Sequence, residues 1–280
     1  MFMATKLSVN FKKLRKMLKG KKLRFAKLAL IFLAIYFQAL SIYQNGESEG
    51  SFVLYTVLFS SLAAIFTLFE TRYEVPSFLL STFCIITSWR LSSLMEMRYP
   101  DLILALSFVI LVLQFWRIIK THFSKHNKEF ELHSAFVRMF LGYDLIPHFS
   151  EKLFAGPTIR EADISDFMSL GISDPYFMVA LAGVIEFLGA LAFSCGIFTK
   201  LSAVCIFIYL MTASYMGHHF ASGFIWANPG GGWEYPVLWS CVILSFAFLK
   251  INVYSIDNVL LKSPRCPSFL RSILSFSKKD

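Results

Sequence analysis

Charge is what this sequence lacks. Only 16% of its 280 residues are Asp, Glu, Lys or Arg and 56% are apolar, whereas a water-soluble domain carries about a quarter charged residues. A surface so poor in charge excludes the water-soluble classes. Cysteine is sparse as well: Cys84, Cys195, Cys205, Cys241 and Cys266 show no CxxC spacing, and four of them fall inside apolar runs. A lone thiol in such a run behaves as a small hydrophobe, so no disulfide framework is expected. No phosphate-binding glycine loop, dinucleotide fingerprint or nucleophile elbow occurs, which removes cytosolic-type catalysis.

Acid is absent from residues 1–27, which hold ten Lys or Arg. The net charge of +9 therefore sits beside the first apolar run, where it suits a membrane surface, and no nucleic-acid partner is expected. Leu7, Phe11, Leu14 and Leu18 recur at helical spacing, as in a basic amphipathic helix on anionic lipid; a basic tail that only fixes topology is the plainer reading. The apolar run 25–43 is too long for a signal-peptide core and no small-residue cleavage site follows it, so it reads as a retained anchor.

Crossing the ~30 Å hydrocarbon core takes about twenty apolar residues in a helix. Runs of that kind predict spans at 25–44, 52–69, 76–95, 101–119, 134–153, 175–198, 201–220 and 234–252. The expected fold is all-α: a polytopic membrane bundle of about eight transmembrane helices, with both ends in the cytoplasm. Lys and Arg placement agrees, since of the 27 only Arg90, Arg98, Lys152 and Arg160 then fall outside. The hydrophilic stretch 120–133 divides the chain. The expected regions are a basic cytoplasmic segment at 1–24, four spans within 25–120, four more within 134–258 and a basic tail at 259–280.

Outer connections are acidic or glycine-rich. Segment 155–174 carries Glu161, Asp163, Asp166 and Asp174, with Ile164, Phe167 and Met168 spaced for one short surface helix ended by Gly171. Asp174 is placed to cap the next span, with Pro175 in its first turn.

The first four spans read as almost free of buried polar residues, so function is sought in the second half. A charged side chain at mid-bilayer costs about 2.5–3.5 kcal/mol on insertion scales, so it turns inward toward partners. At 1.5 Å per residue, Arg138 lies about 6 Å into its span, Asp144 about 15 Å, His148 about 21 Å and Glu186 about 16 Å. Ala182, Glu186, Gly189 and Gly196 share one helical stripe, whose small members admit a neighbouring helix. Arg138 is the expected partner of Glu186, either as part of a proton or substrate site or as a structural ion pair. Nearer the outer face His148, Lys152, His218, His219 and Glu234 are expected to converge at similar depth, the first three with Glu234 lining a polar pocket, with Pro147 kinking the helix there. His148 opposite His218, with Glu234, offers donors for haem or a metal, but interfacial histidines are more often hydrogen-bonded surface groups, and no metal site is expected. Cys195 and Cys205 flank the turn at Lys200; core packing is the plainer reading of both.

The segments FVRMFLGYDLIPHFSEKLFAG, GVIEFLGALAFSCGIFTKLSAV, YMGHHF, GFIWANPGGGWEYPVL and YSIDN together resemble the DoxX family of four-helix membrane proteins, over about 134–258. Arg138, Gly142, His148 and Lys152 match its first helix, Glu186 and Gly189 its second, and Gly196 with Lys200 the following turn. His218 matches the end of the third helix, and Gly232, Glu234 and Tyr235 the motif before the fourth. The sequence departs from the pattern in its four additional N-terminal spans and in Asp144, where small or apolar residues are commoner. The resemblance implies an inner-membrane subunit of a bacterial redox system, linked to quinone and a redox partner protein; Glu186 and Arg138 are its expected charged centre, with Asp144 added on its depth alone. Two other readings are a proton-coupled transporter using Asp144 and Glu186, and a non-catalytic scaffold in the bilayer, as a monomer or oligomer.

Overall fold

The computed structural model describes residues 20–121 and 128–274. The expected amphipathic segment before Gly20 and much of the hydrophilic divider lie outside the described residues. Those described form eleven helices and no strand. They are α1 (Gly20–Phe69), α2 (Glu74–Leu94), α3 (Arg98–Thr121), α4 (Lys128–Tyr143), α5 (Leu145–Leu153), α6 (Pro157–Ser169), α7 (Pro175–Cys195), α8 (Thr199–Met216), α9 (Glu234–Ser245), α10 (Ile256–Lys262) and α11 (Ser268–Leu274). Five segments are long and apolar enough to cross a membrane: Gly20–Ile42, Phe52–Phe69, Arg98–Lys120, Pro175–Cys195 and Thr199–Met216. The other three expected spans are helical but fall short of that standard. Helix α2 has the length but is rich in Ser and Thr, 134–153 is split between α4 and α5, and 234–252 is helical only over Glu234–Ser245.

The chain forms two compact units, Met1–Lys128 and Glu129–Asp280. In the first, the two arms of α1 must run back along one another. A straight helix would separate residues 27 and 70 by about 64 Å, yet Lys27 Nζ donates to Glu70 Oε1. The expected loop at 45–51 thus carries helical backbone through the reversal. Phe25, Phe32 and Leu58 point outward as a lipid-facing surface.

The interior of this unit corrects the expectation of an apolar first half. Lys27, Gln38, Ser60, Glu70, Ser88 and Gln114 are all buried. They form two polar layers. In one, Glu70 takes Lys27, Ser81 Oγ (3.3 Å) and, on its other oxygen, Gln114 Nε2 (3.2 Å). In the other, Gln38 Nε2 donates to Ser88 Oγ (2.9 Å) and Ser92 Oγ (3.2 Å), and Ser88 meets Ser60 at 2.8 Å. Helix α2 presents Ser77, Ser81, Cys84, Ser88 and Ser92 to the core on one stripe of small residues. Lipid tails are as apolar as leucine, so helices in a bilayer associate through close packing and bonds of this kind.

The second unit begins with a broken helix. Pro147 has no N–H for the carbonyl of Tyr143, and the interruption at Asp144 between α4 and α5 falls one turn before it. Helix α6 is the expected surface helix, with Ile164 buried, Met168 exposed and Gly171 in the left-handed region (φ 76°) just beyond its end. Asp174 caps α7 by accepting from Phe177 N (3.2 Å), with Pro175 in the first turn, as the sequence predicts. Helix α4 packs so closely on α7 that a Cβ on Gly142 would lie 2.6 Å from the backbone nitrogen of Ser194.

Candidate functional site

One end of the second unit is held by Arg138, which is fully buried. Its Nη1 donates to the carbonyls of Phe193 and Ser194, both at 2.7 Å, and its Nη2 to that of Tyr254 at 2.8 Å. The first two are among the last carbonyls of α7, which have no partner within the helix, and a cation there is also favoured by the helix dipole. Beside it, Asp257 accepts from Phe198 N (2.7 Å), Thr199 N (2.8 Å) and Thr199 Oγ1 (2.7 Å), capping the start of α8. The expected Arg138–Glu186 pair is therefore not formed. Arg138 is instead a clamp on backbone carbonyls.

Glu186 has other partners. It is 5% exposed on α7; Oε1 accepts from the Tyr209 hydroxyl at 2.5 Å, and Oε2 lies 3.2 Å from Lys152 Nζ. Lys152 also donates to the carbonyl of His148 at 3.2 Å. Gly183 makes room for this pairing, since a Cβ there would come within 3.0 Å of Lys152 Cβ and 2.8 Å of Leu153 Cγ. The small-residue stripe thus turns Glu186 inward, but toward α5 and α8.

A cavity of about 500 Å³ opens beside this group, lined among others by Asp144, His148, Glu186, Tyr209, His219, Trp226, Tyr235 and Trp239. Asp144, His148 and Glu186 share its wall. His218 is not: it has a left-handed backbone (φ 59°) and lines a separate cavity with Leu170 and Tyr215. Its neighbour His219 takes the cavity position, with Nδ1 2.9 Å from the Gly231 carbonyl and 3.1 Å from that of Gly230. Those carbonyls can only accept, so Nδ1 carries the proton and Nε2 is left as acceptor in the neutral ring. Glu234 does not line the cavity either; its Oε2 accepts from Trp226 N at 3.3 Å and staples the glycine-rich loop. Tyr209, Trp226 and Trp239, none singled out from the sequence, complete the wall.

Among the described residues no group of three His, Cys, Asp or Glu side chains is placed to hold a metal ion. Cys195 is buried and Cys205 exposed, both as free thiols.

Asp163 on α6 lies near the same charges. Its Oδ2 is buried without a hydrogen-bond partner. Burial pushes its carboxyl above the ordinary 3.8, Lys152 pulls it down, and Glu151, Glu186 and Asp166 add to the rise. With the folded value raised, the stability Asp163 contributes is full below the ordinary carboxyl value and is lost as pH rises through the raised one. Asp163→Asn is expected to gain melting temperature relative to wild type over the range of pH that begins at the ordinary carboxyl value and runs upward. A constant difference across that range would refute this placement of Asp163.

Residues 133–219 match the family model of DoxX. An uncharacterized protein of Haemophilus influenzae is 27% identical over 128 residues, which is 46% of this chain and 90% of that protein. No solved structure matches. The matched region runs from α4 through Glu186 and Tyr209 to His219, so the chain is a multi-pass, all-helical membrane protein whose second unit contains a DoxX domain.

Proposed function

We propose that the second unit binds the head group of a quinone in the cavity and passes protons to it, as the inner-membrane component of a bacterial redox system. The observation that carries this reading is the meeting, on one cavity wall, of Glu186 and Tyr209, backed by Lys152, with the rings of Trp226, Tyr235 and Trp239. Aromatic faces suit a planar ring, and few convergent polar groups in an otherwise apolar pocket fix its orientation. Reducing a quinone to a quinol takes two electrons and two protons. Tyr209 can turn its hydroxyl from Glu186 to one ligand oxygen, give that proton and recover one from the Lys152–Glu186 pair. His148 supplies the second proton to the opposite oxygen, and His219 Nε2 accepts from the quinol hydroxyl formed there. The electrons come from a reducing partner enzyme. The H. influenzae relative supports a bacterial setting.

Titration of the detergent-solubilised full chain with a short-tailed quinone, followed by tryptophan fluorescence, tests the proposal. Saturable quenching is expected, weakened about tenfold in Tyr209→Phe and in His148→Ala, as for loss of one good hydrogen bond. Absence of saturable binding, or unchanged affinity in both variants, would count against it.

A further inference from the structure

We infer that the first unit carries a second site, for an anionic phosphate group at the end of the bundle where Lys21 and Arg24 lie. A cavity of about 220 Å³ is lined there by Lys21, Arg24, Glu70, Thr71, Glu74 and Arg117, with Gly20 at its edge. Two acids on the wall argue at first against an anion, but both are already taken. Glu70 is bonded by Lys27, Ser81 and Gln114, and Glu74 by Arg117. Lys21 and Arg24 have no ion-pair partner among the described residues, and both line the same space.

The backbone adds to this field. The N-terminus of α2 begins at Glu74, its preceding residue Tyr73 supplies no side-chain cap, and Pro76 has no N–H. Helix N-termini left open in this way favour negative groups. The Arg117 head lies directly over residue 20, where a Cβ would come within 1.5 Å of Nη1, so glycine is what lets Arg117 reach Glu74 and cancel its charge on this wall. Thr71 adds a hydroxyl donor. The end of the bundle is the one that the distribution of Lys and Arg assigns to the cytoplasm, the side on which membranes present anionic phospholipid.

The group recognised is a phosphate ester or free phosphate, and two sources can supply it. Native mass spectrometry of the full chain, titrated with phosphatidylglycerol and with phosphatidylcholine, is the test. Phosphatidylglycerol is expected to bind the wild type preferentially. The exposed Lys21 and half-buried Arg24 can be changed without opening a core, and the double variant Lys21→Gln with Arg24→Gln is expected to bind about 30-fold more weakly. Lys22→Gln removes the same kind of charge one residue away but off the cavity wall, and is expected to bind as wild type does. Displacement of the lipid by inorganic phosphate identifies the free ion as occupant, and resistance to it identifies the lipid head group; both support the site. Equal weakening in the Lys22 variant and the double variant, with melting temperatures unchanged, reduces the effect to general surface charge and overturns the inference.

Discussion

Arg138→Met is expected to destabilise the second unit by about 3–5 kcal/mol, the range for uncoupling a buried charged group from its partners. The variant withdraws a donor from each of the carbonyls of Phe193, Ser194 and Tyr254 where water is excluded, that of Phe193 keeping its bond from Gly196 N, and each group left unpaired costs about 1–3 kcal/mol before relaxation. Lysine at the same position keeps the charge but offers no planar fork, so Arg138→Lys is expected to fall between the two. Thermal unfolding in detergent measures the loss. Quinone affinity per folded molecule is expected to stay unchanged, because Arg138 does not reach the cavity. A variant as stable as wild type, or one that folds normally and loses ligand, would return Arg138 to the chemistry and remove it from the framework.

The second large effect is expected at Lys27 and Glu70. Lys27→Met strands a carboxylate in the interior of the first unit and is expected to cost about 3–5 kcal/mol, softened by the bonds from Ser81 and Gln114 that remain. Changing both, Lys27→Met with Glu70→Leu, is expected to recover most of that stability, since well-packed apolar residues often replace a buried pair without loss. The double-mutant cycle gives the coupling directly. If the double variant is no better than Lys27→Met alone, then the pair is not what holds these helices together.

The apolar runs and the charge asymmetry made the membrane class and the positions of the helices legible, and the Asp174–Pro175 start of α7 was readable to the residue. The inward turn of Glu186 was readable too, from the small residues on its stripe. The direction in which a long side chain leans was not. Arg138 meets α7 at Phe193 and Ser194, about two turns along from Glu186, because its guanidinium turns to backbone carbonyls, which have no signature in a sequence. The exchange of His219 for His218 depends on one left-handed residue in a loop, where neither period nor propensity applies. Tyr209 was hidden for another reason: a tyrosine on an apolar helix looks like packing until a carboxylate is seen against it. The polar interior of the first unit was missed because serine, threonine and glutamine barely depress an average hydropathy, and because Lys27 reads naturally as the last residue of the basic segment.

Asp257 closes the turn between α7 and α8 from a distance of nearly sixty residues along the chain, and the carbonyl of Tyr254 beside it completes the bonds of Arg138. The hairpin they secure leaves the ribosome well before they do. Through that interval it must sit in the bilayer with the start of α8 lacking its carboxylate cap and Arg138 one acceptor short. The second unit therefore locks from its C-terminal side, as the last step of its biogenesis.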